Sequence, residues 1–277
     1  FMTMQSQGLP SWLRNRSLGL FLRANQNGDG YLNRGYAGVF AGLLFADNSE
    51  FRMEMNYLPA YYDDKNSRGN GLFQYEGGHM VLFSYGTSTA KKFATSIQFG
   101  SRGGMDTDIS YIADFGFTYR PVDRFSLDFD LGFVQSDNWY LHQGDTLFTS
   151  FDALQVRPGL SMDYFISANQ QLRFSLQWIG IVAEETEFWR VPTTPGRLIR
   201  RTKNNPSNVD DFAVSQMTSQ LRYRWEIAPL SDLFIVYTRG SNLPNQYNDD
   251  FGSLFEEAFN QPIIDTFTVK LRYRFSS

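Results

Sequence analysis

Cysteine is absent from the 277-residue chain, which excludes disulfide staples and thiolate metal sites. Histidine is nearly absent: His79 and His142 are the only two, so no His-rich metal pattern exists. No G-x-S-x-G nucleophile motif and no glycine-rich phosphate loop occur. No cofactor is therefore expected. No apolar run reaches the length of about 18 residues that a membrane helix needs. Basic excess is also lacking: the formal net charge is −4, which argues against a nucleic-acid partner. The start, Phe1-Met2-Thr3, has no basic region, apolar segment or cleavage site. A leader is expected to have been removed, and residues 1–15 are read as a periplasmic or lumenal lead-in.

What is abundant is aromatic. Phe, Trp and Tyr make up 17% of the chain, with 26 Phe and 15 Tyr, more than a soluble domain of this size needs. The dominant pattern has period two. Phe267, Val269, Leu271, Tyr273 and Phe275 alternate with Thr266, Thr268, Lys270, Arg272 and Arg274, and in a strand these sets point to opposite faces. The same split recurs where Phe125, Leu127, Phe129, Leu131 and Phe133 oppose Ser126, Asp128, Asp130 and Gly132. It recurs again in Leu172 to Trp178 and in Met217 to Ile227. A helix would scatter these apolar residues around its axis.

The pattern predicts twelve strands, at 16–25, 31–45, 51–62, 78–85, 92–100, 109–119, 125–136, 152–166, 171–184, 212–227, 233–241 and 263–275. Most reach the length of about 9–11 residues that a tilted strand needs to cross a bilayer. Every second connection is short (46–50, 86–91, 120–124, 167–171, 228–232), whereas the others include long ones (63–77, 137–151, 186–211, 242–262). Short turns at one end and long loops at the other fit an antiparallel transmembrane β-barrel of the bacterial outer membrane, forming one domain over 1–277. An even strand count places both termini at the periplasmic end, and Phe275 is close to the terminal aromatic of such barrels. Two strands are irregular. Gly35, Gly38 and Gly42 interrupt 31–45, and 233–241 is apolar on both faces, which predicts a plug or lumen packing.

The barrel register predicts a charged lumen lined by Arg52, Glu54, Asp114, Asp128, Asp130, Arg157, Asp163, Arg173, Arg222, Arg224, Glu226, Lys270, Arg272 and Arg274. Acidic groups concentrate on the middle strands and basic groups on the last ones. Two readings stand. In one the charges form a cross-lumen ion-pair network; in the other, opposed acidic and basic walls set a transverse field across a narrow aqueous pore for small polar solutes.

Other motifs are read on two sides as well. Asn25, Asn27 and Asp29 in Asn25-Gln26-Asn27-Gly28-Asp29-Gly30 carry oxygen ligands at the alternating spacing of a calcium loop. Position twelve is Tyr36 rather than Glu, so a hairpin turn built on Asn-Gly and Asp-Gly is the preferred reading. Asp63-Asp64 opens a long loop, either as a cation site bridging lipopolysaccharide phosphates or as a solvated polar loop. Arg197, Arg200, Arg201 and Lys203 form a basic outer-loop cluster near Phe188 and Trp189. It could meet lipid-A phosphates, fold inward as a constriction, or be neutralised by Glu184, Glu185, Glu187, Asp210 and Asp211. A hydrolase would need His79 or His142 beside a serine and a carboxylate.

Three segments carry a family likeness: Tyr61-Tyr62-Asp63-Asp64 with Ser67-Arg68-Gly69-Asn70-Gly71, the earlier Asn27-Gly28-Asp29-Gly30, and Ser231-Asp232-Leu233-Phe234-Ile235-Val236-Tyr237 before the last strand. Together they resemble an outer-membrane barrel domain of unknown function that commonly follows a family-9-type carbohydrate-binding domain. The likeness spans most of the chain. It implies the C-terminal half of a longer protein, preceded by a periplasmic or lumenal β-sandwich, and it supplies no catalytic residues. The function expected is a non-enzymatic outer-membrane barrel, acting as a narrow channel or as the membrane anchor of a larger assembly. The alternatives are an outer-membrane hydrolase of lipid or glycan and a structural subunit of a membrane complex. Expected partners are outer-membrane lipid and lipopolysaccharide, with other outer-membrane or periplasmic proteins in the anchor and subunit readings.

Overall fold

The computed structural model describes residues 2–5, 8–104, 106–203, 210–245, 247 and 250–275. Ser276, Ser277 and parts of the expected lead-in and of the 186–211 and 242–262 loops lie outside the described residues. The elements in chain order are β1 (Met2–Gln5), β2 (Leu13–Gln26), β3 (Leu32–Phe45), β4 (Glu50–Leu58), β5 (Tyr61–Asp63), β6 (Phe73–Tyr75), β7 (Gly78–Gly86), β8 (Phe93–Gly103) and β9 (Ile109–Val122). They continue with β10 (Phe125–Gly144), β11 (Leu147–Ser167), β12 (Gln170–Arg190), β13 (Gly196–Arg197), β14 (Ile199–Arg201), β15 (Phe212–Ala228), β16 (Ser231–Asn245), α1 (Phe251–Asn260) and β17 (Ile264–Arg272).

The fold is all-β and the main sheet is antiparallel. Its path runs β1-β2-β3-β4-β7-β8-β9-β10-β11-β12-β15-β16-β17, with β14 beside β12, while β5, β6 and β13 form a separate small sheet. All twelve expected strands are present within it. Among the described residues the path has two ends, β1 and β17, and does not close into a ring.

Directly opposed pairs define a mainly polar face. Gly42 faces Arg52, Arg52 faces Ser84, Ser84 faces Gln98, Gln98 faces Asp114, Asp114 faces Gly132 and Gly132 faces Arg157. The other face is apolar and laddered by aromatics. Phe51, Phe83 and Phe99 stack at 6.4 and 5.3 Å between centroids, and Phe93, Phe117 and Phe129 at 5.7 and 5.4 Å. Such cross-strand pairs each add a few tenths to about 1 kcal/mol to a sheet.

The apolar face is uncovered over most of its extent. Leu18, Leu20, Leu22, Met55, Ile97, Phe99, Phe115, Phe133, Leu221, Phe267, Val269 and Leu271 all lie on it and all are exposed, Leu22 to 81%. They belong to seven strands, from β2 near one side of the sheet to β17 at the other.

Three expectations are corrected. The 137–151 segment is strand, not loop: β10 and β11 pair as far as Gly144 and Leu147. A bulge between Ser136 and Trp139, with Asn138 at φ 52, redirects the hairpin. Beyond it Phe148 and Phe151 are both buried, Phe148 against Phe73, Tyr75 and Val191. With aromatics buried on both faces, the polar alternation that signals a strand disappears although the strand continues. Short connections also occur at the loop end, at 27–31, 104–108 and 145–146.

The second correction is α1, inside the expected 242–262 loop. Asp250 caps it, accepting from Gly252 N at 3.0 Å and Ser253 N at 3.2 Å. Leu254 and Ala258 are buried against Trp178, Val182, Ala213 and Met217 on the apolar face. Ser215 Oγ accepts from Trp178 Nε1 at 2.9 Å and donates to the Leu254 carbonyl at 2.7 Å. Arg239 Nε donates to the Phe259 carbonyl at 2.8 Å, placing a cation at the helix C-terminus. Third, 233–241 is no plug. It is the middle of β16, whose second apolar face is accounted for by Phe234 opposite Arg224 and Lys270, and Val236 opposite Arg222 and Thr268.

Candidate functional site

The polar face holds the structure's largest concentration of charge, and the register brings the predicted lumen residues of the sheet together on it. Asp163 opposes Arg173, Arg173 opposes Arg222, and Lys270 and Arg272 continue the face on β17. Arg274 follows β17, its amide donating to Ser231 Oγ at 3.0 Å. Gln98 and Thr118 share the face and escaped sequence reasoning, because neither is charged; Phe234 shares it as part of the second apolar face of 233–241.

The acidic half is built on two glycines. Asp114 and Asp130 each sit two residues before a glycine on antiparallel neighbours, in Asp114-Phe115-Gly116 and Asp130-Leu131-Gly132. Each carboxylate leans over the other strand's glycine: a β-carbon at Gly132 would lie 2.6 Å from Asp114 Oδ1, and one at Gly116 would lie 2.6 Å from Asp130 Oδ1. The room over Gly132 also lets Arg157 reach Asp114 from the next strand, at 3.5 Å. Gln98 Nε2 donates to the other Asp114 oxygen at 3.3 Å. Thr118 Oγ1 and Ser126 Oγ donate to Asp128, at 2.5 and 3.1 Å. These groups border a cavity of about 930 Å³ that runs from Glu50 and Arg52 to Arg157.

The basic half spans β12, β15 and β17. Asp163 holds Arg173 at 2.9 Å and accepts twice from Gln171. Asp232, with its side chain 1% exposed, holds both Arg224, at 2.8 Å, and Arg272. The ion pairs thus join neighbours along the wall. Arg52 likewise pairs with Glu50 two residues away, at 2.5 Å, and Glu54 accepts from Asn56.

The remaining candidates lie elsewhere. Asn27 Oδ1 accepts from the amides of Asp29 and Tyr31, at 3.1 and 2.9 Å, and Gly30 has φ +84. That is a hairpin turn, and Asn25 is a strand residue opposite Arg34. Asp63 accepts from the Asn66 amide at 2.7 Å, and burial pushes its carboxyl above the usual carboxylate range. The outer-loop basic cluster is split among carboxylates. Arg197 pairs with Glu76 at 2.8 Å, Arg200 with Glu187 at 2.5 Å, and Lys203 with Glu185 and Asp210 at 2.5 and 3.1 Å. Burial works against the Lys203 charge, but those two acceptors outweigh it and raise its pKa. Arg201 opposes Phe188 across the β12–β14 pairing.

His79 Nε2 lies 3.1 Å from Ser101 Oγ, on the apolar face. No carboxylate contacts His79 among the described hydrogen bonds and ion pairs, so one of the two partners a hydrolytic triad needs is present. His142 Nε2 meets the Asp145 carbonyl at 2.8 Å instead.

No curated protein matches the chain. Residues 14–275 match the family model described as a domain of unknown function, DUF5916, and the chain belongs to that family.

Proposed function

We propose that this chain forms the wall of an outer-membrane β-barrel, non-enzymatic, with its polar face lining a narrow water-filled conduit. One observation carries the reading. A sheet of membrane-crossing length exposes an apolar, aromatic-rich face on strand after strand, while the opposite face is charged and cavity-lined. A soluble protein rarely exposes a contiguous apolar patch larger than a few hundred Å². A barrel wall alternates apolar outside with polar inside by construction.

A lipid-embedded sheet tolerates no open edge, because unpaired backbone groups in hydrocarbon cost several kcal/mol each. The reading therefore requires closure through the β17 edge. β1 pairs with only Ser17 to Leu20 of β2. Along the main sheet β2 to β17 are twelve strands that alternate in direction, so the rest of the β2 edge runs antiparallel to β17, as closure needs. The test is reconstitution into planar bilayers and vesicles. Insertion with discrete conductance steps is expected. Insertion without conductance would leave the wall as a membrane anchor, and failure to insert would overturn the reading.

A further inference from the structure

The charge on the polar face is not balanced everywhere, and the imbalance is local. Two cross-strand rows define the place. One runs Gln171, Arg224, Phe234, Lys270; the next runs Asp163, Arg173, Arg222, Val236. With Arg272 one row away, five cations occupy this corner. The carboxylates within reach are already engaged, Asp163 by Arg173 and Gln171, and Asp232 by Arg224 and Arg272. Glu226 lies a row beyond, directly opposite Asp232.

Arg222 is the residue left over. Its described side-chain bond is a 3.3 Å contact from Nη2 to Gln220 Oε1. Its direct cross-strand partner is Arg173, another guanidinium. Like charges directly opposite destabilise a sheet pair, and among the described ion pairs Asp163 answers Arg173 while none answers Arg222. Arg222, Arg173 and Arg224 border one cavity of about 290 Å³, with Gln171 and Phe234 completing its lining. A second cavity, of about 570 Å³, adjoins through Arg173 and Arg222 and is also bordered by Asp128 and Asp163. Phe234 is an aromatic ring on the polar face, set between Arg224 and Lys270.

We infer that this corner is a binding site for an oxyanion, a phosphate or carboxylate group of a small solute, held by the Arg222, Arg173 and Arg224 guanidiniums over the ring of Phe234. The inference rests on the conduit reading and names the solute class that the conduit takes. A guanidinium offers a planar fork of N–H donors that matches either oxyanion bidentately. An anion between Arg173 and Arg222 turns their repulsion into two charge-assisted contacts. Phe234 supplies an apolar surface for the rest of the solute. The acidic half of the face, around Asp114, Asp128 and Asp130, repels the same ligand and confines it to the basic wall.

The experiment measures the thermal midpoint of the folded, detergent-solubilised chain. Pyrophosphate and succinate are titrated separately against sodium chloride at equal ionic strength. Saturable stabilisation by at least one of them beyond that of chloride is expected, and the stronger of the two identifies the preferred group. Arg222→Gln should weaken that ligand by about tenfold or more, the equivalent of one lost charge-assisted contact. Arg197→Gln, in the outer loop, should leave it unchanged. Should Arg222→Gln not fold, Arg222→Lys keeps the charge, removes the fork and is expected to weaken binding several-fold. Equal stabilisation by chloride, or an unchanged midpoint shift in the Arg222 variants, overturns the site. Because binding is read in detergent, a failed bilayer insertion would refute the membrane reading without touching this result.

Discussion

The ring of Phe40 lies over Gly19, its direct cross-strand partner, in the space a β-carbon there would fill. Phe21 does the same over Gly38 on the same pair of strands. The two glycines and two rings interlock diagonally, and the Phe21 and Phe40 centroids are 6.5 Å apart. This explains why β3 reads as a broken pattern. Gly38 is a socket for the Phe21 ring, Gly42 makes room for Ser17 and Gly35 for Pro59, so these glycines are close approaches and not interruptions of the strand. Gly19→Val is expected to destabilise the sheet by about 1–3 kcal/mol through overpacking against Phe40. Urea unfolding of the variant beside Gly28→Ala, whose β-carbon meets open space, checks this, and equal midpoints would contradict the socket.

Helix α1 is held by burial rather than by chain connection alone. Leu254 has no exposed surface and sits in the cluster with Trp178 and Met217. Leu254→Ala is expected to cost about 2–5 kcal/mol of docking. Limited proteolysis reads it directly, as faster cleavage within 246–263 at an unchanged strand signal by circular dichroism.

The turn between β3 and β4 carries a pH dependence of definite sign. Asp47 accepts from the Ser49 hydroxyl at 2.5 Å and amide at 3.0 Å, and pairs with Lys91 at 2.9 Å in the neighbouring turn. These bonds, the Ser49 hydroxyl first, hold its carboxyl well below the usual 3.8. Since the folded value is the lower one, the stabilisation is complete above about pH 4 and is lost as pH falls below that. Asp47→Asn is expected to lower stability at neutral pH and to flatten the acid limb of the stability profile. A variant with the same acid slope as the parent would refute the assignment.

The His79–Ser101 contact invites a chemical check. A serine hydrolase needs its histidine oriented by a third group, and no carboxylate is described on His79. The expected outcome is therefore no labelling of Ser101 by a serine-directed fluorophosphonate, read by mass spectrometry. Labelling that disappears in His79→Ala would reinstate the hydrolase reading.

How far the sequence could be read follows from which faces are buried. Strands with one wet and one apolar side, such as β9 and β17, were legible because alternation is what half-burial produces. The β10–β11 extension was not, since Phe148 is packed by Phe73, Tyr75 and Val191, and Phe151 and Trp139 by Phe212, all from distant segments. α1 was hidden for another reason. Its Phe251, Leu254, Phe255 and Ala258 are spaced for a helix face, but a single short stretch among loop residues offers too few turns to stand out. Period two alone was enough to put these charged residues on one face of the sheet. Phe234 was legible only as part of a second apolar face, read as a plug or lumen packing, because its neighbours Arg224 and Lys270 come from other strands.

The membrane reading makes an asymmetric prediction within one strand. Phe115 and Thr118 lie three residues apart on β9, one exposed on the apolar face and the other bonded to Asp128 on the polar face. A cation placed on the lipid side of a barrel near the bilayer midplane costs about 2–4 kcal/mol, whereas the lumen side tolerates charge. Phe115→Arg should therefore reduce folding into vesicles by that amount. Thr118→Arg, set next to Asp128 and Asp130, should fold near the parental level. In detergent-free buffer the order would reverse for a soluble sheet, because an exposed Phe115 replaced by arginine would improve solubility. Folding yield into lipid vesicles, compared for the two variants side by side, separates these cases: a Phe115→Arg protein that inserts as well as its parent removes the apolar face from the lipid.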